Sequence, residues 1–197
     1  MTPTSLILIL SFFFLIGSIP FSYIIGKLAK IDIRNFGDNN PGAKNAFLAG
    51  GIRLGLPAGI LDFLKGAIPL YLILNKIDPY NFNLIPISLA PVLGHTFSPF
   101  LKFRGGKGIA TTYGIWTALT GLKGPLIMWS FYTVLNSILK FKIRAIRIPL
   151  SILSVSGYII LFQYNVILLL TSVLNSLIIF LKFSNELFSH SKTIFKI

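Results

Sequence analysis

The chain has no cysteine, only two histidines and only five carboxylate side chains in 197 residues. The first absence excludes disulfides, thiolate nucleophiles and thiolate-bound metals. The shortage of imidazoles and carboxylates leaves too few donors for a metal centre, so no metal and no cofactor is expected. Charge of either sign is sparse, at 12% of residues, whereas 54% are hydrophobic and the mean hydropathy is +0.79. A chain this apolar cannot hide its hydrophobic surface inside one soluble domain and must pair it with lipid. The expected fold class is therefore all-α: a polytopic integral membrane protein, with residues 1–197 forming a single membrane-embedded domain. The uncharged run from Thr2 to Gly26 is longer than a signal-peptide core and follows no basic segment, so it is expected to stay as the first membrane helix.

Uncharged stretches place the crossings. Thr2 to Gly26 makes one, Leu54 to Asn75 a second interrupted by Asp62 and Lys65, and Pro79 to Leu101 a third with kinks expected at Pro86 and Pro91. Gly108 to Leu122 and Gly124 to Leu139 each fall short of the roughly 20 residues that a full span takes, and Gly121-Leu122-Lys123-Gly124-Pro125 reads as a tight turn between them. Ile148 to Leu181 is uncharged and too long for one helix; Gln163-Tyr164-Asn165 divides it into two short passes. The expected total is about seven, with short, tightly turned or re-entrant pairs.

The basic residues test that count. Lys27, Lys30, Arg34, Lys44 and Arg53 fall in the first loop, Lys76 in the second, Lys102, Arg104 and Lys107 in the third, and Lys123 in the fourth. Lys140, Lys142, Arg144 and Arg147 follow in the fifth, none in the sixth, and Lys182, Lys192 and Lys196 in the tail. Odd loops and the tail carry nearly all of them. The positive-inside rule then puts the N-terminus outside and the C-terminus in the cytoplasm. The net charge of +13 is thus mostly topological, with attraction to anionic membrane lipid as a by-product and no nucleic-acid role implied.

Two cytoplasmic loops are richer than topology requires. Residues 94–108, GHTFSPFLKFRGGKG, set a glycine-flanked lysine between two apolar segments. Glycines free backbone N–H groups to wrap an oxyanion, and Lys107 adds charge. A nucleotide-binding loop is excluded, because a membrane helix precedes it and Gly108, not Ser or Thr, follows the lysine. The first loop, with Gly37, Asn40, Gly42 and Asn45, suits turns and exposed amides. His95, near Lys107, is a candidate base or orienting group. Asp62 and Lys65, three apart on a membrane helix, can pair with each other, and intramembrane charges are functional candidates.

Gly17-Ser18-Ile19-Pro20, Asp32-Ile33-Arg34, Gly37 with Asn40, Gly42, Ala43 and Asn45, Asp62-Phe63-Leu64-Lys65-Gly66 with Pro69, Leu93-Gly94-His95 and Phe103-Arg104-Gly105-Gly106-Lys107-Gly108-Ile109-Ala110-Thr111 together resemble the bacterial acyl-phosphate:glycerol-3-phosphate acyltransferases. The resemblance covers about residues 17–111, and beyond that only hydropathy and topology match. It implies a seven-helix inner-membrane enzyme that moves a fatty acyl group from acyl phosphate to the 1-hydroxyl of glycerol 3-phosphate, giving lysophosphatidic acid at a site facing the cytoplasm. It also implies a soluble acyl-phosphate-forming enzyme as a partner. Departures from the family pattern are Asp38 for a serine, Asn39 for a glycine, Lys44 for a threonine, Leu48 for an arginine and Ala145 for a serine, with the tail Glu-Asn reversed as Asn185-Glu186.

An acyl phosphate carries its own leaving group, so alcohol attack needs positioning, oxyanion stabilisation and a proton acceptor rather than a covalent nucleophile. The chain fits: it has no Gly-x-Ser-x-Gly elbow, and the fifth residue after His95 is Phe100, not Asp. Lys107 and His95 are the expected catalytic residues, with the amides of Gly105, Gly106 and Gly108 beside Lys107. Arg34, Asn40 and Asn45 are expected to hold the acceptor's phosphate, and Gly42 and Lys65 to contribute to substrate binding. Two other readings stay open: an impaired paralogue that binds acyl phosphate or phospholipid without turnover, and an anion transporter. Transport fits less well, because both glycine-rich loops lie on one face.

Overall fold

The computed structural model describes the backbone of residues 2–140 and 143–194 and side chains as far as Ser184, so Lys142, Asn185, Glu186, Lys192 and Lys196 lie outside the described side chains. Among the described residues the regular structure is helical throughout: α1 Pro3–Ser18, α2 Phe21–Leu28, α3 Ala43–Leu74, α4 Leu84–Thr96, α5 Ile109–Thr120, α6 Lys123–Thr133, α7 Arg144–Tyr158 and α8 Val166–Ile194, with short 3₁₀ and π turns between or after them. Among the described residues five helical stretches are long and apolar enough to cross a membrane: Pro3–Leu28, Ala43–Leu74, Leu84–Leu101, Arg144–Gln163 and Val166–Ser184. At 12 and 11 residues, α5 and α6 are each shorter than a bilayer core is thick. The protein is an all-helical, multi-pass integral membrane protein.

The chain packs as two compact units, Met1–Leu119 and Thr120–Ile197. In the first, α1 lies mainly on α4 and α2 on α3. Lipid tails are as apolar as the helices, so close approach rather than water exclusion must hold them together, and small residues permit it. A Cβ on Gly17 would run into the Pro91 backbone, one on Gly94 into Phe14 and Ser18, and one on Gly114 into the Phe63 backbone. Thr2 caps α1 by accepting from the Ser5 N–H at 3.2 Å, and Pro3 occupies the first turn, where its missing N–H costs nothing.

The α3 helix begins earlier than the hydropathy pattern suggests. Ala43 to Ala49 is already helical, and the break comes at Gly50 and Gly51, the latter at φ 60°, ψ −150°, a conformation open essentially to glycine. A helical turn thus occupies the end of the expected first loop.

In the second unit α7 packs on α6 and α8. The division at Gln163-Tyr164-Asn165 is present: Tyr164 is left-handed, and Asn165 Oδ1 accepts from the N–H groups of Ile167 and Leu168 to start α8. The turn before α6 is tighter than expected, since Lys123, Gly124 and Pro125 enter the helix and proline is tolerated in a first turn. Hydroxyls line the α7–α8 seam, with Ser156 donating to Ser172 and Ser176 to the Pro149 carbonyl. Ala145 is buried on α7; Arg147, two residues on, donates to Asn136 and lies 4.9 Å over the Tyr132 ring.

Candidate active site

The site begins with a broken helix. Ile19 precedes a proline and is extended at ψ 118°, which separates α1 from α2 and strips the carbonyls of Ser18 and Ile19 of helical partners. Both accept from distant elements, and the Ile19 carbonyl accepts from the Phe21 N–H at 3.0 Å as well. Ser98 Oγ donates to the Ser18 carbonyl at 2.6 Å, and Lys65 Nζ to the Ile19 carbonyl at 2.7 Å. Lys65 also pairs with Asp62 at 2.8 Å, both side chains 1% exposed, and Ser22 on α2 donates to the other Asp62 oxygen at 2.5 Å. A buried ion pair survives in a low-dielectric interior only with strong support, and here Ser22 serves Asp62 Oδ2 and the Ile19 carbonyl serves Lys65 Nζ, while Asp62 Oδ1 has the ammonium as an ion-pair partner but no hydrogen bond among the described residues. His95 Nδ1 faces Asp62 at 3.6 Å, and Thr111 Oγ1 donates to the Asp62 carbonyl.

The imidazole of His95 supports the glycine-rich loop from below. After α4 the chain makes a 3₁₀ turn at Pro99–Leu101 and two left-handed residues, Lys102 and Phe103, that reverse its direction. The Gly106 N–H then donates back to the His95 carbonyl at 3.0 Å. A Cβ on Gly105 would strike that carbonyl, and one on Gly106 would strike the ring. The loop is thus laid directly on His95, and the half-buried Lys107 follows it before Gly108, at φ 75°, starts α5.

Lys107 meets the first loop there. Its Nζ is 2.7 Å from Asp38 Oδ2, and Lys44 Nζ reaches the same oxygen at 3.5 Å. Burial pushes the Asp38 carboxyl up, but the hydrogen bond and charge of Lys107 with the charge of Lys44 outweigh it and hold the group at about 2. Asn45, 1% exposed, donates from Nδ2 to the Asn40 carbonyl at 2.9 Å and fixes the turn in which Gly42 caps α3. Gly37, at φ 56°, passes so close to the Asn45 Oδ1 and to Leu48 that a side chain there would displace both.

Arg34 stands apart from this cluster. It makes a two-pronged hydrogen bond to Asp32 at 2.9 and 2.7 Å and lies 4.6 Å over the Tyr23 ring, while Lys27 adds a second cation at 3.3 Å. Hydrogen bonds from Arg34, assisted by Lys27, hold the Asp32 carboxyl well below the usual carboxylate range against the opposing effect of burial. Arg34 lines a cavity of about 660 Å³ with Tyr23, Asn39, Phe100, Lys102 and Arg104. Neighbours Asp38 and Asn39 therefore serve different places, the carboxylate meeting Lys107 and the left-handed Asn39 lining the cavity.

The expected residues fall into three groups: Lys107 with the loop of Asn40, Gly42 and Asn45; His95 and Lys65 in the buried network below Gly105 and Gly106; and Arg34 at the basic cavity. Ser22, Ser98 and Tyr23 were not expected. The signal for the first two is the Ile19-Pro20 break, which leaves the Ser18 carbonyl in need of a donor and lies beside an ion pair that takes a hydroxyl.

A glycine loop folded over a buried histidine, with its lysine delivered to a second loop, is the feature on which similarity to known proteins can be judged. The sequence profile of the glycerol-3-phosphate acyltransferase family matches residues 7–191. The chain belongs to this family. The Thermotoga maritima glycerol-3-phosphate acyltransferase 1 is 44% identical over 117 residues, a match spanning 58% of this chain and 58% of that protein. The Pseudothermotoga lettingae acyltransferase is 36% identical over 163 residues, covering 82% of this chain and 80% of that one. The fold matches a crystal structure of PlsY (YgiH), an integral membrane glycerol 3-phosphate acyltransferase in its glycerol 3-phosphate form, with TM-score 0.83 and 28% identity over 96% of this chain and 93% of that one. The lysophosphatidic acid form of the same enzyme matches equally, at TM-score 0.83. Within the family framework this chain's departures are now placed: Asp38 and Lys44 are partners, and Leu48 is an exposed apolar residue.

Proposed function

We propose that the protein transfers a fatty acyl group from acyl phosphate to the 1-hydroxyl of glycerol 3-phosphate, forming lysophosphatidic acid for phospholipid synthesis. The observation that carries this reading is the 2.7 Å meeting of Lys107 with Asp38, which joins the two loops that carry the family pattern into one basic site. Membership of the family and the likeness to an enzyme solved with glycerol 3-phosphate support it.

In this reading Lys107, with the N–H groups of Gly105 and Gly108, faces the donor phosphate and the negative charge that develops on the acyl carbonyl oxygen during attack. The Gly106 N–H, engaged on the His95 carbonyl, holds the loop's shape. His95, packed beneath the loop and facing Asp62, acts as an orienting residue, and the departing phosphate takes the hydroxyl proton. The first loop holds the acceptor, and Arg34 supplies a second basic position at the cavity beside it. We place the site on the cytoplasmic face of the inner membrane of a chain that acts as one domain with seven crossings, the N-terminus outside and the C-terminus inside, where a soluble enzyme can deliver acyl phosphate.

The test is purified protein in lipid given acyl phosphate and glycerol 3-phosphate. Formation of lysophosphatidic acid that requires both substrates is the expected result, and its absence from folded protein overturns the assignment. A second reading, binding without turnover, is favoured by the carboxylate that Asp38 places on Lys107. An inactive wild type restored by Asp38→Ser would select it.

A further inference from the structure

Two buried acceptor oxygens of the first loop, Asp38 Oδ1 and Asn45 Oδ1, meet no hydrogen-bond donor among the described residues. Each belongs to a side chain whose other polar atom is engaged: Asp38 Oδ2 by Lys107 and Lys44, and Asn45 Nδ2 by the Asn40 carbonyl. A Cβ built on Gly37, next to Asp38 in sequence, would lie 2.5 Å from Asn45 Oδ1, so the Asn45 oxygen abuts the backbone that carries Asp38. A buried acceptor without a donor is costly, and such groups are normally matched by a ligand or an ordered water. The matching atom must be a donor. A phosphate oxygen is itself a negatively charged acceptor and is repelled by Asp38, so phosphate belongs on the cations, not on this pair of oxygens.

Resting on the proposed reaction, we infer that Asp38 is a specificity-determining residue that, with Asn45, accepts a hydrogen bond from the acceptor's non-reacting 2-hydroxyl. In the proposed reaction the alcohol is the substrate that brings hydroxyl donors, and one of its two hydroxyls must remain free to attack. A carboxylate held at about 2 by Lys107 and Lys44 is a poor proton acceptor but a good hydrogen-bond acceptor, which fits the hydroxyl that keeps its proton. Asp38 thus has two engagements: one oxygen positions Lys107, and the other reads the polyol.

The experiment compares glycerol 3-phosphate with 3-hydroxypropyl phosphate, which keeps the phosphate and the reacting hydroxyl but lacks the 2-hydroxyl. Binding of each to the full chain in lipid nanodiscs is measured by calorimetry, with no donor present. Wild type should prefer glycerol 3-phosphate by about 10- to 100-fold, as sites that bond a substrate hydroxyl through a charged group do. In Asp38→Ala the preference should fall to within about threefold, whatever happens to the absolute affinities. If the alanine variant binds neither ligand, Asp38→Glu decides, because it keeps a charge for Lys107 while moving the oxygen; a ratio near one supports the inference. A wild-type ratio near one, meaning that ordered water alone fills the notch, or a preference that survives both substitutions, overturns it. Failure of wild type to bind glycerol 3-phosphate at all would instead remove the proposed reaction.

Discussion

Asp38 and Lys107 are 69 residues apart in sequence and 2.7 Å apart in space, and the carboxylate stands where the family pattern has a serine. The pair brings opposite charges into a partly buried loop junction, and Lys44 supplies the extra positive charge that keeps the junction cationic overall. A carboxylate that would repel phosphate on its own therefore sits in a site with net attraction for it.

Lys107→Ala should leave insertion and helix packing intact, because the side chain joins two loops and no helix–helix seam, and should cost on the order of 2 to 4 kcal/mol in kcat/KM, as loss of an oxyanion donor does. Initial rates with both substrates varied check this. A folded variant with undiminished turnover removes Lys107 from the chemistry.

The depressed Asp38 carboxyl gives a stability signature at low pH. Its value is about 2 in the folded protein against an ordinary 3.8, so the folded state binds this proton less readily than the unfolded chain. The contribution is complete above about pH 4 and is lost as pH falls toward 2, with a size of about 1 to 2 kcal/mol after allowance for solvent screening. Thermal unfolding in detergent at pH 5 and pH 2.5 should show a smaller acid-induced drop for Asp38→Asn than for wild type. Equal drops would mean that the pair contributes nothing.

Much of this was legible in the sequence, because membrane helices announce themselves by composition and a glycine-lysine loop by spacing. The split at Gln163-Tyr164-Asn165 and the pairing of Asp62 with Lys65 are local and follow from pattern alone. The partner of Asp38 was only half legible. Lys44, six residues away, is on the page in the sequence, whereas Lys107 arrives by tertiary folding, and Arg34 turns to Asp32, two residues back, where a two-pronged geometry is available. The helix start at Ala43 was hidden because glycine and asparagine around it read as a loop, although Gly42 serves as its cap.

Gly106→Ala should reduce activity strongly, because the added methyl meets the His95 ring, which is itself held against Asp62 and has little room to retreat. The paired control is Gly157→Ala in the last turns of α7, where nothing lies within 4 Å of the new methyl. That change should leave activity unchanged and raise stability by up to about 1 kcal/mol. A tenfold or greater loss of kcat/KM in the first with none in the second is the expected contrast. Equal behaviour would mean that the loop does not rest on His95.

Lys65→Met tests whether the buried network is structural. Removing the ammonium leaves the Asp62 carboxylate buried with Ser22 and His95 but without its 2.8 Å cation, and breaking one side of such a pair costs about 3 to 5 kcal/mol. The variant should melt far below wild type. Adding Asp62→Asn should recover much of that loss, since no uncompensated charge then remains. A double variant no more stable than Lys65→Met would show that the ion pair is not the cause.

The absence of cysteine makes the chain its own background for mapping orientation. Single cysteines at Asn39, Arg104 and Lys123, all at exposed positions, can be challenged with membrane-impermeant thiol reagents in sealed inside-out and right-side-out vesicles. Positive charge is retained on the cytoplasmic side during insertion, so positions 39 and 104 should react from the cytoplasmic face and position 123 from the opposite one. The last position is the discriminating one, because α5 is 12 residues long and carries the chain from Lys107 to Lys123. If it spans, through tilt or a locally thinned bilayer, Lys123 emerges outside; if it is re-entrant, 123 labels with 104 from the cytoplasm and the count falls by two. Labelling of 104 from outside would invert the whole arrangement and place the proposed site away from any cytoplasmic donor.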